Sequence, residues 1–330
     1  MDINNFGRAT LSMTAKQNTE RYDVVVIGDV FCDIATMPIA DYPERDKQIS
    51  CEFMLKIGGQ AGNCVAACAS LGLKTALICK TGNDVLSQWV LSELQKVGVT
   101  CFAKMTEKEE LQHPGITVSI AFEDGSRSML SDRGANIDLK DGDVNFELLR
   151  KTRFVMRAGH WNTEGLFPAN KKILEFVKSA GAYTGVDIGW SAYLGWTTHA
   201  RRTAFDLLPS TDFLFANEAE INGLSEKKER SGAYDLLDNG CKNVIVHRGA
   251  LGSSWITNEF EIRCPAFNVK PISPTGVGDV FNAGFIYALL EGKEAKECLR
   301  FANACAAAYI STKRRGNAFP TLKEVENLYK

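Results

Sequence analysis

Ser273-Pro274-Thr275-Gly276-Val277-Gly278-Asp279 is the stretch of this 330-residue chain whose residue types and spacing point most directly to chemistry. It runs into Val280-Phe281-Asn282-Ala283-Gly284-Phe285-Ile286-Tyr287-Ala288-Leu289-Leu290, an apolar run that predicts a buried helix. Two glycines one residue apart permit a tight loop with exposed backbone. The free N–H groups and macrodipole at a helix N-terminus favour an anion there. Asp279 falls in the first turn, where a carboxylate is electrostatically tolerated. A carboxylate beside an anion cradle suits a base that takes the proton of a hydroxyl as it attacks a phosphate. A capped helix with glycines for its turn explains the same residues, and the stretch alone does not separate the two.

Other polar clusters follow short apolar runs. Asp33, a few residues after Gly28, suits accepting hydrogen bonds from substrate hydroxyls; a solvated loop carboxylate is the alternative. Gly58-Gly59-Gln60-Ala61-Gly62-Asn63 opens a small-residue helix. Its glycines let a polyol approach the backbone while the Asn63 amide orients it, whereas simple capping needs one Asn or Ser. Asn217 and Glu220 lie on one face at a helix start and could hold a hydrated Mg2+ through its waters. A capping box explains that spacing too and is the stronger reading in isolation. The turn between Gly249 and Gly252, after a strand, suits lying against a nucleotide. His160, beside Trp161 and Asn162, either touches substrate or is structural. With His113, His199 and His247 it shows no metal or triad spacing, so zinc chemistry and Ser–His–Asp hydrolysis have no support.

The elements that must position these residues alternate. Tyr22–Ile27 is a β-branched run ending at Gly28, which predicts a buried parallel strand. Asp29-Val30-Phe31-Cys32-Asp33 follows in place of dinucleotide-fingerprint glycines, which argues against a Rossmann oxidoreductase. Residues 34–57 predict strands of an antiparallel flap, and Ile116–Phe122 with Ser126–Ser131 a hairpin across Glu123-Asp124-Gly125. From Phe154 onward strands and helices alternate to a terminal helix over Thr321–Tyr329. Repeated strand–helix units predict one α/β domain: a mostly parallel sheet with helices on both faces, plus a small β flap. In such a sheet ligands gather beyond the carboxyl ends of the strands.

Composition agrees. Hydrophobic residues make up 45% and charged residues 24%, as in a globular domain, and a net charge of -2 suggests neither nucleic acid nor an anionic membrane as partner. The ten cysteines include no CxxC pair and fit buried thiols in a reducing cytoplasm. Residues 1–22 lack a signal-peptide core, and no run reaches transmembrane length.

In order, Gly28…Asp33, Gly58-Gly59…Asn63, Asn217…Glu220 and Gly276-Val277-Gly278-Asp279 resemble the ribokinase-like (phosphofructokinase B) family of sugar kinases. Gly59–Gly72 looks like its first signature and Pro274–Phe285 like its second, and the likeness runs from about Tyr22 to Val325. The resemblance implies a ribokinase-like three-layer α/β/α domain with a β-sheet lid built from about residues 34–57 and 113–133. It implies Asp279 as catalytic base, with the amides of Gly276, Val277, Gly278 and Asp279 as anion hole for the γ-phosphate. Asp33, Gly59 and Asn63 match the positions that hold sugar hydroxyls, and Asn136 joins them. Asn217 and Glu220 match the motif linked to Mg2+ and phosphate, Gly249 and Gly252 the turn near the nucleotide, and Asn303 a position close to adenine. The lid often forms a dimer interface in the family. Ser273-Pro274 replaces the usual Asp-Thr, which speaks against K+ activation, and Gln60 and Val155–His160 depart from ribokinases proper.

The expectation is thus an ATP- and Mg2+-dependent, cytoplasmic kinase that phosphorylates a hydroxyl, foremost a primary one, of a small carbohydrate. A nucleoside or vitamin-like kinase, with Trp161 or Trp190 stacking on a base, and a catalytically silent sugar sensor are the alternatives.

Overall fold

A computed structural model describes residues 21–190, 192–272, 275–312 and 317–329; the lead-in expected over 1–20 and the Ser273-Pro274 pair lie outside them. The first half of the chain comprises β1 (Tyr22–Ile27), β2 (Phe31–Thr36), β3 (Phe53–Gly58), α1 (Gln60–Ser70), β4 (Thr75–Thr81), α2 (Val85–Lys96), β5 (Thr100–Met105), β6 (Gly115–Ala121) and β7 (Arg127–Asp132). Next come α3 (Phe146–Arg150), β8 (Thr152–Arg157), α4 (Asn170–Ser179), β9 (Tyr183–Asp187), α5 (Thr198–Phe205), β10 (Phe213–Asn217), α6 (Glu218–Ser225) and α7 (Glu229–Asp238). The chain closes with β11 (Asn243–His247), β12 (Ser253–Ile256), β13 (Glu261–Cys264), α8 (Val277–Leu290), α9 (Ala295–Ile310) and α10 (Leu322–Tyr329).

A nine-stranded sheet runs β13-β12-β11-β10-β9-β8-β1-β4-β5. From β11 to β5 neighbours pair in parallel, and β12 and β13 add an antiparallel edge. β1 shows why its sequence lacks alternation. Val24 and Val26 pack on one side against α1, α8 and α9, while Val25 and Ile27 pack on the other against the side carrying α3 and α4. A strand covered on both faces needs apolar residues at every position. α5, α6 and α7 extend that second layer under β9–β11. Parallel pairing brings the carboxyl ends of β1, β8, β9, β10 and β11 to one edge of the sheet, where Asp29, Gly159, Asp187, Asn217 and His247 emerge. Among the described residues no helix is long and apolar enough to cross a membrane.

The expected flap is a separate four-stranded sheet, β3-β2-β6-β7. Its hairpin and the β2–β3 pair are antiparallel, but β2 and β6 pair in parallel, which corrects the all-antiparallel expectation. The chain leaves the small sheet at Gly58, passes through α1, β4, α2 and β5, and returns at Gly115. That long crossover is what a parallel pair requires. Sequence reasoning also passed over β5. It is an edge strand whose residues are mostly half-buried or exposed, so Thr100–Met105 carries no clean apolar pattern.

Candidate active site

Gly276 caps α8 with φ +78°, and a Cβ there would lie 3.3 Å from the Asn63 amide. A non-glycine residue would be strained in this left-handed conformation and would crowd Asn63. Among the described residues no side chain caps the helix, so its first-turn amides are not spent on a side chain. Asp279, in that first turn, is buried, and Asn63 Nδ2 donates to its Oδ2 at 2.9 Å. The cradle, the carboxylate and Asn63 thus come together from chain positions far apart.

Behind Asp279 lies a network the sequence did not announce. Asp187, at the end of β9, accepts from Gln60 Nε2 at 2.8 Å, from Asn282 Nδ2 at 2.6 Å and from the Gly189 amide at 3.1 Å. Asn282 Oδ1 in turn lies 2.8 Å from His247 Nε2, at the end of β11. The carboxylate therefore ties the N-terminus of α1 to α8, the helix that carries Asp279. A signal was present: Asn282 is the one amide in the otherwise apolar run after Asp279, and a buried polar group demands partners.

The electrostatics follow from burial. Desolvation raises the Asp279 pKa well above its ordinary value, Asp187, Asp29 and Glu220 add to the rise, and the Asn63 bond opposes it. Asp187 is pushed up to about 8 by burial and then by Glu220. His247 is lowered to about 4 by burial, so it stays neutral. Asp33 lies within β2, not in a loop. Burial lifts its carboxyl to about 6 against the Thr117 hydrogen bond, and a Cβ on Gly58 would fall 2.2 Å from Asp33 Oδ1. Gly58 must therefore be glycine for that carboxylate to lie across the strand.

Asn217 and Glu220 form the capping box: the Glu220 amide donates to Asn217 Oδ1 at 2.9 Å and the Asn217 amide to Glu220 Oε2 at 2.8 Å. Among the described residues no three potential ligands cluster to hold a metal. Asp187 and Glu220 are buried acids whose carboxyls are both raised by desolvation, Asp187 further by the Glu220 charge; two such donors suit a cation that keeps most of its waters and needs no closed cage. Gly249 and Gly252 bound a tight turn after β11, both with positive φ.

Three expected contacts are redirected. His160 is fully buried, stacked on Phe167 with its Nε2 3.0 Å from the Thr203 hydroxyl, so it belongs to the core. The Asn136 amide is spent on backbone, accepting from Val30 N–H and donating to the carbonyls of Val30 and Arg133. It braces the start of β2. Asn303 Nδ2 donates to the carbonyls of Cys264 and Pro265, each at 3.2 Å, so it pins the end of β13.

An uncapped helix N-terminus with a buried carboxylate in its first turn, at the carboxyl edge of a parallel sheet, is an arrangement that suits phosphoryl transfer. Over residues 22–322 the chain matches the pfkB family carbohydrate kinase model, and it belongs to that family. Deoxyribokinase from Salmonella typhi is 24% identical over 310 residues, covering 92% of this chain and 97% of that one. 5-Dehydro-2-deoxygluconokinase from Bacillus licheniformis is 22% identical, covering 94% and 96%. An E. coli protein described as a ribokinase II, solved with ATP and Mg2+, superposes with a TM-score of 0.81 at 22% identity, covering 93% and 98%. The ribokinase-like fold and the activity of an ATP-dependent sugar kinase follow from this membership.

Proposed function

We propose that the chain transfers the γ-phosphoryl group of ATP to a hydroxyl of a small carbohydrate, with Asp279 as general base. The observation that carries this reading is the buried Asp279 carboxylate in the first turn of a helix whose N-terminus no described side chain caps. The amides of Gly276, Val277, Gly278 and Asp279 bind the transferring phosphoryl group, and Asp279 receives the acceptor's proton. Asn63 orients the carboxylate and, with Asp33 and Gly59, holds the sugar's hydroxyls. The turn at Gly249–Gly252 lies against the nucleotide. Asp187 and Glu220, with Asn217, hold Mg2+ largely through its waters, and when bound the cation neutralises phosphate charge. K+ activation is not expected.

The small sheet acts as the lid. Register places Asp33, Lys56, Thr117 and Ser131 on one face, a polar surface suited to hydroxyls. The opposite face carries Ile34, Leu55, Val118 and Leu130, suited to a second copy of the chain in a homodimer. Closure over the sugar excludes water and limits ATP hydrolysis.

A coupled ADP-release screen over pentoses, hexoses, keto-deoxy acids and nucleosides tests the reading, with Asp279→Ala as control. The variant should lose about 10^2–10^4-fold in kcat with nucleotide binding retained. Turnover close to wild type would remove Asp279 from the mechanism. The second reading, a nucleoside or vitamin-like acceptor, rests on Trp190, which is 57% exposed, whereas Trp161 is buried in the core. Phosphorylation of nucleosides in preference to free sugars would select it.

A further inference from the structure

Three strand ends and one buried amide meet beside the phosphate cradle. Asp187 of β9 pairs with Phe215 of β10, whose ring packs on Phe285 of α8. Asn217 lies two residues further along β10 and pairs with His247 of β11. Side chains at paired positions share a face, and alternate positions along a strand return to it. Asp187, Asn217 and His247 therefore sit on the α8 side of the sheet, at its carboxyl edge. Asn282, fully buried and one turn after Asp279 on α8, bridges two of them. Its Nδ2 donates to Asp187 Oδ2 at 2.6 Å, and its Oδ1 lies 2.8 Å from His247 Nε2.

The bridge fixes which imidazole nitrogen carries the proton. Three N–H groups converge on Asp187, from Gln60, Asn282 and Gly189, which is the company a carboxylate requires. The Asn282 nitrogen is thus spent on Asp187, and its oxygen is left to accept from His247 Nε2. Burial keeps His247 neutral by lowering its pKa to about 4, so Nδ1 holds a lone pair. The Phe281 ring packs on the imidazole in a T-shape, with centroids 4.8 Å apart, and steadies it. Among the described residues Nδ1 has no hydrogen-bond partner. A Cβ on Gly278 would fall 3.4 Å from it, so this acceptor stands beside the cradle.

We infer that Asn282 is a positioning residue that fixes the His247 tautomer, and that His247 Nδ1 accepts a hydrogen bond from a water of the hydrated Mg2+. The inference rests on the kinase reading and extends the cation's surroundings from Asp187, Glu220 and Asn217 to the end of β11. Ionised phosphate oxygens only accept, so they cannot serve a lone pair. Water on a cation that dehydrates reluctantly is a donor, and it needs acceptors around it. One amide thereby prepares two of them, Asp187 directly and His247 through its tautomer. A hydroxyl of the nucleotide or of the sugar is the other class of O–H donor, and binding without the cation or without the sugar separates these.

Calorimetric titration of the full chain with ADP, in Mg2+ or in EDTA and with no sugar present, provides the test. His247→Gln keeps an N–H near the Nε2 position and removes the Nδ1 acceptor. It should weaken MgADP binding about tenfold while metal-free ADP binding changes less than about threefold. Asn282→Leu, which keeps the branching without the amide, should show the same selective loss. Long-range nitrogen–proton NMR correlations in the wild-type MgADP complex should place the imidazole proton on Nε2, and that measurement stands even if a variant fails to fold. In Asn282→Leu the two tautomers should mix. A wild-type proton on Nδ1, or MgADP affinity of His247→Gln within about threefold of wild type, would overturn the inference. Equal losses with and without Mg2+ would also overturn it, in favour of a nucleotide hydroxyl. A wild-type chain that phosphorylates no acceptor, yet keeps the Nε2 tautomer and the Mg2+-dependent loss, would instead overturn the kinase reading.

Discussion

Asn63 donates one hydrogen bond to Asp279, and on the proposed mechanism that bond would set the working range of the base. Asp279 must be ionised to take a proton, and its pKa is raised by burial and by Asp187. Activity should therefore fall as pH drops through a value above the ordinary carboxylate range. The Asn63 amide donates to the charged form at 2.9 Å and so favours ionisation. Removing it in Asn63→Ala raises the Asp279 pKa further, and the acidic limb of kcat/KM moves to higher pH. A pH–rate profile separates this from lost acceptor binding, which lowers the plateau without moving the limb. A limb that stays put or shifts to lower pH would show that the bond does not tune the base. At this scale the sequence was informative where backbone chemistry restricts residue choice. Gly276 is readable because its positive φ and its nearness to Asn63 admit few other residues. Asp187 and His247 were not, because their value lies in partners such as Gln60 and Asn282 on other elements.

At the scale of elements, α6 tests whether a motif can serve structure and ligand together. Asn217 and Glu220 exchange reciprocal bonds that satisfy amides at the helix N-terminus. Asn217→Ala should lose about 1 kcal/mol of stability without ligand, read as a lower midpoint in urea unfolding. An unchanged midpoint would show that the cap contributes nothing and that Asn217 is held for the nucleotide site alone. The central strands and their helices were legible because both faces are buried, which leaves apolar runs punctuated by glycine. β1 falls on the bounds expected from such a run. β5 was not legible, since an edge strand is selected by its neighbour's backbone more than by its own pattern. The parallel β2–β6 pairing was hidden for a related reason. Registers between segments separated by a long crossover leave no local mark.

For the whole molecule, the question is what covers the outer face of the small sheet. Phe53 is 61% exposed, Leu55 40% and Leu130 70%, and register aligns Leu55 and Leu130 with Ile34 and Val118 on the face opposite Asp33. If the other face meets a polar substrate as proposed, the exposure of Phe53, Leu55 and Leu130 means that the domain leaves this face largely uncovered. Contiguous exposed apolar surface of this kind marks an association site. A second copy meets the requirement, because the same patch on both chains is self-complementary across a two-fold axis. The proposed homodimer therefore predicts twice the protomer mass by sedimentation at micromolar concentration. Leu130→Asp places a charge within that apolar patch and should shift the mass to that of one protomer, since an unpaired charge is not tolerated in a buried apolar interface. Leu130 lies on the face opposite Asp33, so the kcat of the separated protomers tests whether the proposed closure needs the partner. A wild-type chain that sediments as a protomer would remove the second copy as the cover, and an unaltered dimer in Leu130→Asp would place the contact on another surface.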